Sequence, residues 1–202
     1  MFKKFIPILI IFIFLSNTSI ASTQDVENFV DKVADRIIKI VTNKNSSEKT
    51  KSSQILKMIN DEFDVKWMSR FTLGRSYRKL SDSQQESYID LYTQYLCNNY
   101  SPILMKYSDE SYKISKVMKT GSKDYDVDVS ILRKGGAPAI ALRYHVKEVS
   151  PDSYKAVDMV VEGISTILSQ RSEFSYIVQE KGIDGLLEDL RGGKVKKQHN
   201  ID

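Results

Sequence analysis

Residues able to do chemistry are few and scattered in this 202-residue chain. There are two histidines, His145 and His199, and one cysteine, Cys97. A nucleophilic triad or a cysteine–histidine pair needs a base held against its nucleophile, so any such site would rest on His145. His145 falls among the alternating polar positions of a predicted strand, and His199 lies in the last four residues. Cys97 sits in a tyrosine-rich helical stretch, where a small thiol packs as a buried side chain. A lone cysteine also excludes an internal disulfide framework and any multi-cysteine metal site. Asp126 and Asp128 have the spacing of a carboxylate pair for acid–base work, but on a half-buried strand they read as solvent-facing residues. Asp31 and Asp35 share a helix face with Lys32 and Arg36 nearby, where solvation suffices. Gly192-Gly193-Lys194 lacks the Ser/Thr that follows a phosphate-loop lysine, and position 188 is Glu188 where that loop needs glycine. No catalytic constellation, metal or cofactor is expected. The chemistry on offer is binding.

The elements that would position a binding site are legible from periodicity. Val26, Phe29, Val30, Val33, Ile37, Ile40 and Val41 have helical spacing within 25–41. Residues 43–53 read as a polar connection to a second helix carrying Ile55, Leu56, Ile59 and Phe63. A short helix over 64–73 should stop at Gly74. Ser81 and Gln84 form a capping box that opens the longest helix, through Tyr88, Tyr92 and Tyr95 to Tyr100, with Pro102 expected to bend or restart it. The period then changes to two. Val127, Val129 and Ile131 alternate with Asp126, Asp128 and Ser130, and Ile140, Leu142 and Tyr144 alternate with Ala141, Arg143 and His145 across a Gly135-Gly136 turn. Val157, Met159 and Val161 supply a further strand, Tyr112 to Ile114 begins an earlier one, and Gly163 closes the sheet. A helix to a Gly182 cap and a short one over 183–190 follow. The predicted class is α+β, with a helical layer on one face of a curved four-stranded antiparallel sheet, apolar within and polar without.

Composition bounds this further. At 41% hydrophobic and 10% aromatic the chain has enough apolar surface to fold, and its length suits one domain at about 150 residues each. Lys3 and Lys4, an apolar run from Phe5 to Leu15, and small residues at Ser19 and Ala21 make residues 1–21 a predicted cleaved signal peptide. The run is too short to span a membrane comfortably, which takes about 20 residues. The mature domain is placed at 22–191 and a basic flexible tail at 192–202. Removing the leader lowers the formal charge of +4 to about +2, too little to argue for nucleic acid.

From Phe63 the chain resembles a known family. Phe63-Asp64-Val65-Lys66-Trp67-Met68-Ser69-Arg70-Phe71-Thr72-Leu73-Gly74-Arg75 is similar to the "FD…M.RF.LGR" segment of the MlaC, or toluene-tolerance, proteins. Leu80-Ser81, Gln84-Gln85 and Tyr92-Thr93-Gln94-Tyr95-Leu96 continue it. Val161-Glu162-Gly163-Ile164-Ser165, Gln170-Arg171-Ser172-Glu173-Phe174 and Gly182-Ile183-Asp184-Gly185-Leu186-Leu187 follow in the family's order. Ser76-Tyr77 and Cys97-Asn98-Asn99 depart from its usual residues.

The resemblance implies a nuclear-transport-factor-like cone holding an apolar cavity. It also implies a monomeric periplasmic carrier, without enzymatic activity, that shuttles glycerophospholipid between an outer-membrane lipoprotein complex and an inner-membrane ABC transporter complex, maintaining outer-membrane lipid asymmetry. Two acyl chains of about thirty methylenes represent about 24 kcal/mol of exposed surface, so the cavity is expected to approach roughly 1,000 Å³. Val127, Val129, Ile131, Ile140, Leu142, Tyr144, Val157 and Met159 are its expected sheet wall. Phe71, Tyr88, Tyr92, Ile164 and Ile167 are the expected helix side, and Arg70, Arg75, Arg143 and Arg171 the expected head-group or partner contacts. Two other readings fit the architecture. A cone-fold enzyme on an apolar substrate would need Asp126, Asp128 or His145 inside the cavity. A chaperone-like periplasmic partner would have a fully packed sheet face.

Overall fold

The computed structural model describes residues 23–106 and 110–195. The predicted leader lies outside them. Among the described residues, five helices form a layer on one face of an antiparallel sheet. Helix α1 (Thr23–Thr42) buries Val26, Val30, Val33, Ile40 and Val41, the stripe its spacing predicts. Helix α2 (Glu48–Glu62) starts inside the predicted connection. Ser47 accepts a hydrogen bond from the Thr50 amide, and a polar first turn on the solvent side leaves hydropathy nothing to read. In α3 (Val65–Leu73), Asp64 caps the start by accepting from the Trp67 amide at 3.0 Å. The helix ends at Gly74 (φ 54°, ψ −122°), a conformation only glycine holds without strain. A Cβ there would stand 2.9 Å from the Arg171 guanidinium, whose Nη1 donates to the Phe71 carbonyl at 2.8 Å.

A 3-10 segment (Gly74–Lys79) leads to α4 (Asp82–Lys106). The predicted capping box is present, since Gln84 N donates to Ser81 Oγ and Ser81 N to Gln84 Oε1. The expected interruption at Pro102 does not occur. The helix runs through it to Lys106 because packing outweighs one missing amide. Tyr88, Tyr92 and Tyr95 gather around Phe174 with ring centroids 5.3–6.5 Å away. Tyr88 hydrogen-bonds Thr72 at 2.7 Å, and Tyr92 donates to Gln170 Oε1 at 2.6 Å. These rings are core.

Strands β1 (Ser111–Lys119), β2 (Asp124–Leu132), β3 (Ile140–Ser150), β4 (Ser153–Val161) and β5 (Ile164–Ser165) form an antiparallel meander in chain order. The sheet therefore has five strands rather than four. Glu162 and Gly163 both take positive φ (49° and 80°), the signature of a tight hairpin turn, so Gly163 folds the chain into a fifth strand instead of ending the sheet. A bulge in β4 opposite His145 and Val146 makes Val157 the extra residue. Helix α1 covers β1 and β2, while α2, α3 and α5 (Thr166–Arg191) cover β4. Gly182 (φ 71°, ψ −179°) interrupts α5 where a cap was predicted. Of the predicted tail, residues 192–195 are described: the Lys194 amide bonds Asp189 O and Val195 is buried. No helix among the described residues is long and apolar enough to cross a membrane.

Candidate functional site

An apolar cavity lies between the sheet and α1, α2 and α4. Alternation in β2 and β3 turns Val129, Ile131, Ile140, Leu142 and Tyr144 to the same side, joined by Met159 and Val161 of β4. Helix α1 presents Ala34, Ile37, Ile38 and Val41, positions i, i+3, i+4 and i+7 of one face. The last two turns of α4 add Tyr100, Ile103 and Leu104, and Met58, Ile59, Phe63, Met68 and Leu96 close the more buried part. Polar groups are sparse: Glu110, Ser111, Thr166 and the tyrosine hydroxyls.

About 170 Å³ of the cavity is open to the centres of water-sized groups. At roughly 10–15 Å³ of centre volume and about 30 Å³ of filled volume per group, that seats some 11–17 groups in about 350–500 Å³. That enclosed room is smaller than the roughly 1,000 Å³ expected for two chains and large enough for one.

Six of the eight expected sheet residues line the cavity: Val129, Ile131, Ile140, Leu142, Tyr144 and Met159. Val127 faces the same way but is 0% exposed, sealed in the core on the same rung as Tyr144. Val157 is turned aside by the bulge. None of the expected helix-side residues lines it. Tyr88, Tyr92 and Ile167 belong to the core, Phe71 stacks on Trp67 at 5.2 Å, and Ile164 is 42% exposed on β5. The helix wall instead comes from α1 and the end of α4. Its signal was the breadth of the α1 stripe, where Ala34 and Ile38 flank Ile37, and apolar residues continuing past Pro102.

The four arginines also lie elsewhere. Arg70 is exposed with its guanidinium 5.6 Å from the centre of the Tyr77 ring, and Arg75 is exposed on the 3-10 segment. Arg171 caps α3 as described. Arg143 sits on the outer sheet face, where its Nε donates to Asp128 at 2.5 Å. That hydrogen bond holds the Asp128 carboxyl below the ordinary carboxylate range. Asp126 pairs with His145 Nδ1 at 2.5 Å on the same face. The three residues an enzyme reading required thus point away from the cavity.

Asp31 and Asp35 do more than solvate a helix: both accept from the Tyr112 hydroxyl, at 2.8 and 3.0 Å, and fasten α1 to β1. Burial, then these carboxylates, push the Tyr112 pKa up. Behind the wall, the buried Asp158 carboxylate accepts from Ser165 Oγ, Thr166 Oγ1 and the Ile167 amide, anchoring the start of α5. Gln170 Nε2 donates to Tyr100. Among the described residues no cluster of His, Cys, Asp and Glu is placed to hold a metal ion.

With this geometry in place, three comparisons bear on the chain. The family model described as MlaC protein matches residues 31–192. The intermembrane phospholipid transport system binding protein MlaC of Haemophilus influenzae is 21% identical over 183 residues, covering 88% of this chain and 85% of that protein. A phospholipid-binding protein from Ralstonia solanacearum, solved in complex with a phospholipid, superposes with a TM-score of 0.71 at 17% identity, covering 82% of this chain and 94% of that one. The last likeness shows the α+β fold.

Proposed function

This chain belongs to the MlaC family, and from that premise we propose that it is a phospholipid carrier whose cavity shields acyl chain from water. The observation that carries the proposal is the cavity itself: an open, almost wholly apolar space walled by aliphatic side chains of sheet and helices. A chain of about fifteen methylenes gains roughly 12 kcal/mol on leaving water. A cavity that replaces most of that contact makes a hydrophobic molecule mobile between membranes without a catalytic step. The polar head stays at the rim, where half-buried Glu110 and exposed Ser111 lie. Residues 1–21 direct export, the mature protein works in the periplasm, and its exchange partners are an outer-membrane lipoprotein complex and an inner-membrane ABC transporter complex. Lipid traffic between them maintains outer-membrane asymmetry.

The test is direct. Protein purified from a diderm host is extracted under denaturing conditions and the extract read by mass spectrometry. Stripped protein is then offered donor vesicles of labelled phosphatidylglycerol and phosphatidylethanolamine. Co-purified phospholipid and vesicle-dependent uptake are expected. A folded protein that arrives empty and stays empty overturns the proposal.

A further inference from the structure

The register of β2 on β3 works as a depth gauge. Successive inward rungs are Ile131–Ile140, Val129–Leu142, Val127–Tyr144 and Tyr125–Val146. Both members of the first two rungs line the cavity, only Tyr144 lines it at the third, and at the fourth both are buried and neither lines it. Along β2 and β3 the lining stops at Tyr144, and Met58, Ile59, Phe63, Met68 and Leu96 close the more buried part beside it. Four residues along β3, from Ile140 to Tyr144, span about 13 Å. A bilayer's hydrocarbon core is about 30 Å, so one leaflet's acyl chain occupies about 15 Å. A chain entering beside Ile131 and Ile140 therefore brings its end to the Tyr144 ring.

That ring carries a hydroxyl unlike its neighbours. Tyr112 donates to two carboxylates, Thr166 to Asp158, and Tyr100 is bonded to Gln170. The Tyr144 hydroxyl has no hydrogen-bond partner among the described residues, although the side chain is only 4% exposed. Burial raises its pKa to about 12 with no hydrogen bond contributing. Nor is the oxygen sealed within the protein, as the Tyr154 hydroxyl is, so its remaining exposure is to the cavity.

We infer that Tyr144 is the specificity-determining part of the cavity's floor on its sheet side: it limits acyl-chain length there, and its hydroxyl weakens the hold on a chain long enough to reach it. The role rests on the carrier reading above. In the unloaded protein water reaches the hydroxyl through the cavity. A hydrocarbon end displaces that water and leaves a buried polar group unpaired, which lowers affinity by the order of tenfold. A carrier must release as well as bind, and a polar spot on the buried wall favours release of the deepest chains.

The experiment loads wild type, Tyr144→Phe and Tyr144→Leu with phosphatidylglycerols of graded acyl length and follows release to acceptor vesicles by mass spectrometry. Tyr144→Phe keeps the ring and removes only the hydroxyl. It is expected to release long-chain lipid about tenfold more slowly than wild type and short-chain lipid at the same rate. Tyr144→Leu is expected to move the preferred length upward. Equal release by wild type and Tyr144→Phe at every length overturns the inference, and so does a slowing independent of length. Those results leave the carrier reading standing, whereas a wild type that takes up no phospholipid overturns both.

Discussion

Replacing Ala34 with phenylalanine drives a ring from α1 into the space between that helix and the sheet. Ala34 lines the cavity from the same face as Ile37, Ile38 and Val41, so the new side chain has room to enter. Relative to alanine, phenylalanine adds six carbons. Against a capacity of some 11–17 water-sized groups, the ring takes a third to a half of the room. A bound acyl chain then loses about six methylenes of shielding at roughly 0.8 kcal/mol each. The loss is about 5 kcal/mol, or three to four decades of affinity. The fold responds in the opposite sense, because filling an apolar void restores contacts the cavity lacks, and the lipid-free protein is expected to melt at the same temperature or a few degrees higher. Uptake of labelled phospholipid from vesicles measures the first effect and calorimetry of stripped protein the second. Normal loading by a folded Ala34→Phe protein refutes the assignment of the cavity as the lipid site. Loss of loading together with loss of folding refutes the reasoning about the void.

Three further outcomes follow from the same geometry. Gly74→Ala puts a methyl 2.9 Å from the Arg171 guanidinium at a φ of 54°, and strain plus the loosened bond to the Phe71 carbonyl is expected to destabilise by about 3 kcal/mol, a fall of some 6–12 °C in Tm, with loading intact. Asp158→Ala strips three donors at the start of α5 of their acceptor and is expected to lower stability by about 3 kcal/mol or more in urea titration; Asp158→Asn, which keeps one acceptor oxygen, should recover part of it. The Asp128 carboxyl, held below its ordinary 3.8 by Arg143, contributes stability above that value that is lost as pH falls through the folded value. Acid titration below pH 4 should therefore show a smaller loss of stability in Asp128→Asn than in wild type.

Much of the architecture follows from single-chain rules. Period-two alternation assigned Val129, Ile131, Ile140, Leu142 and Tyr144 to one sheet face and Asp126, Asp128 and His145 to the other, since a strand has only two faces. The capping box at Ser81 and the stop at Gly74 depend on residues within a turn of each other, and both appear as read. Features set by contacts distant in sequence were less legible. The short β5 exists because a two-residue turn lays it on β4, and Pro102 passes unmarked because α4 is held by packing along its length. The arginine assignments lacked any such local rule: Arg171 faces Phe71, a hundred residues earlier in the chain.

The sequence by itself determined an α+β chain with an apolar inner sheet face and a polar outer face that carries His145. Only the tertiary structure decided which inner residues meet a void. Val127 and Val129 are two apart on one strand and face the same way, yet one is sealed and the other lines the cavity. The direction of a side chain is a property of its own backbone, and periodicity records it. Empty space depends on how far the helical layer stands from the sheet at each rung. That distance is fixed jointly by α1, α2 and α4, so no local pattern encodes it.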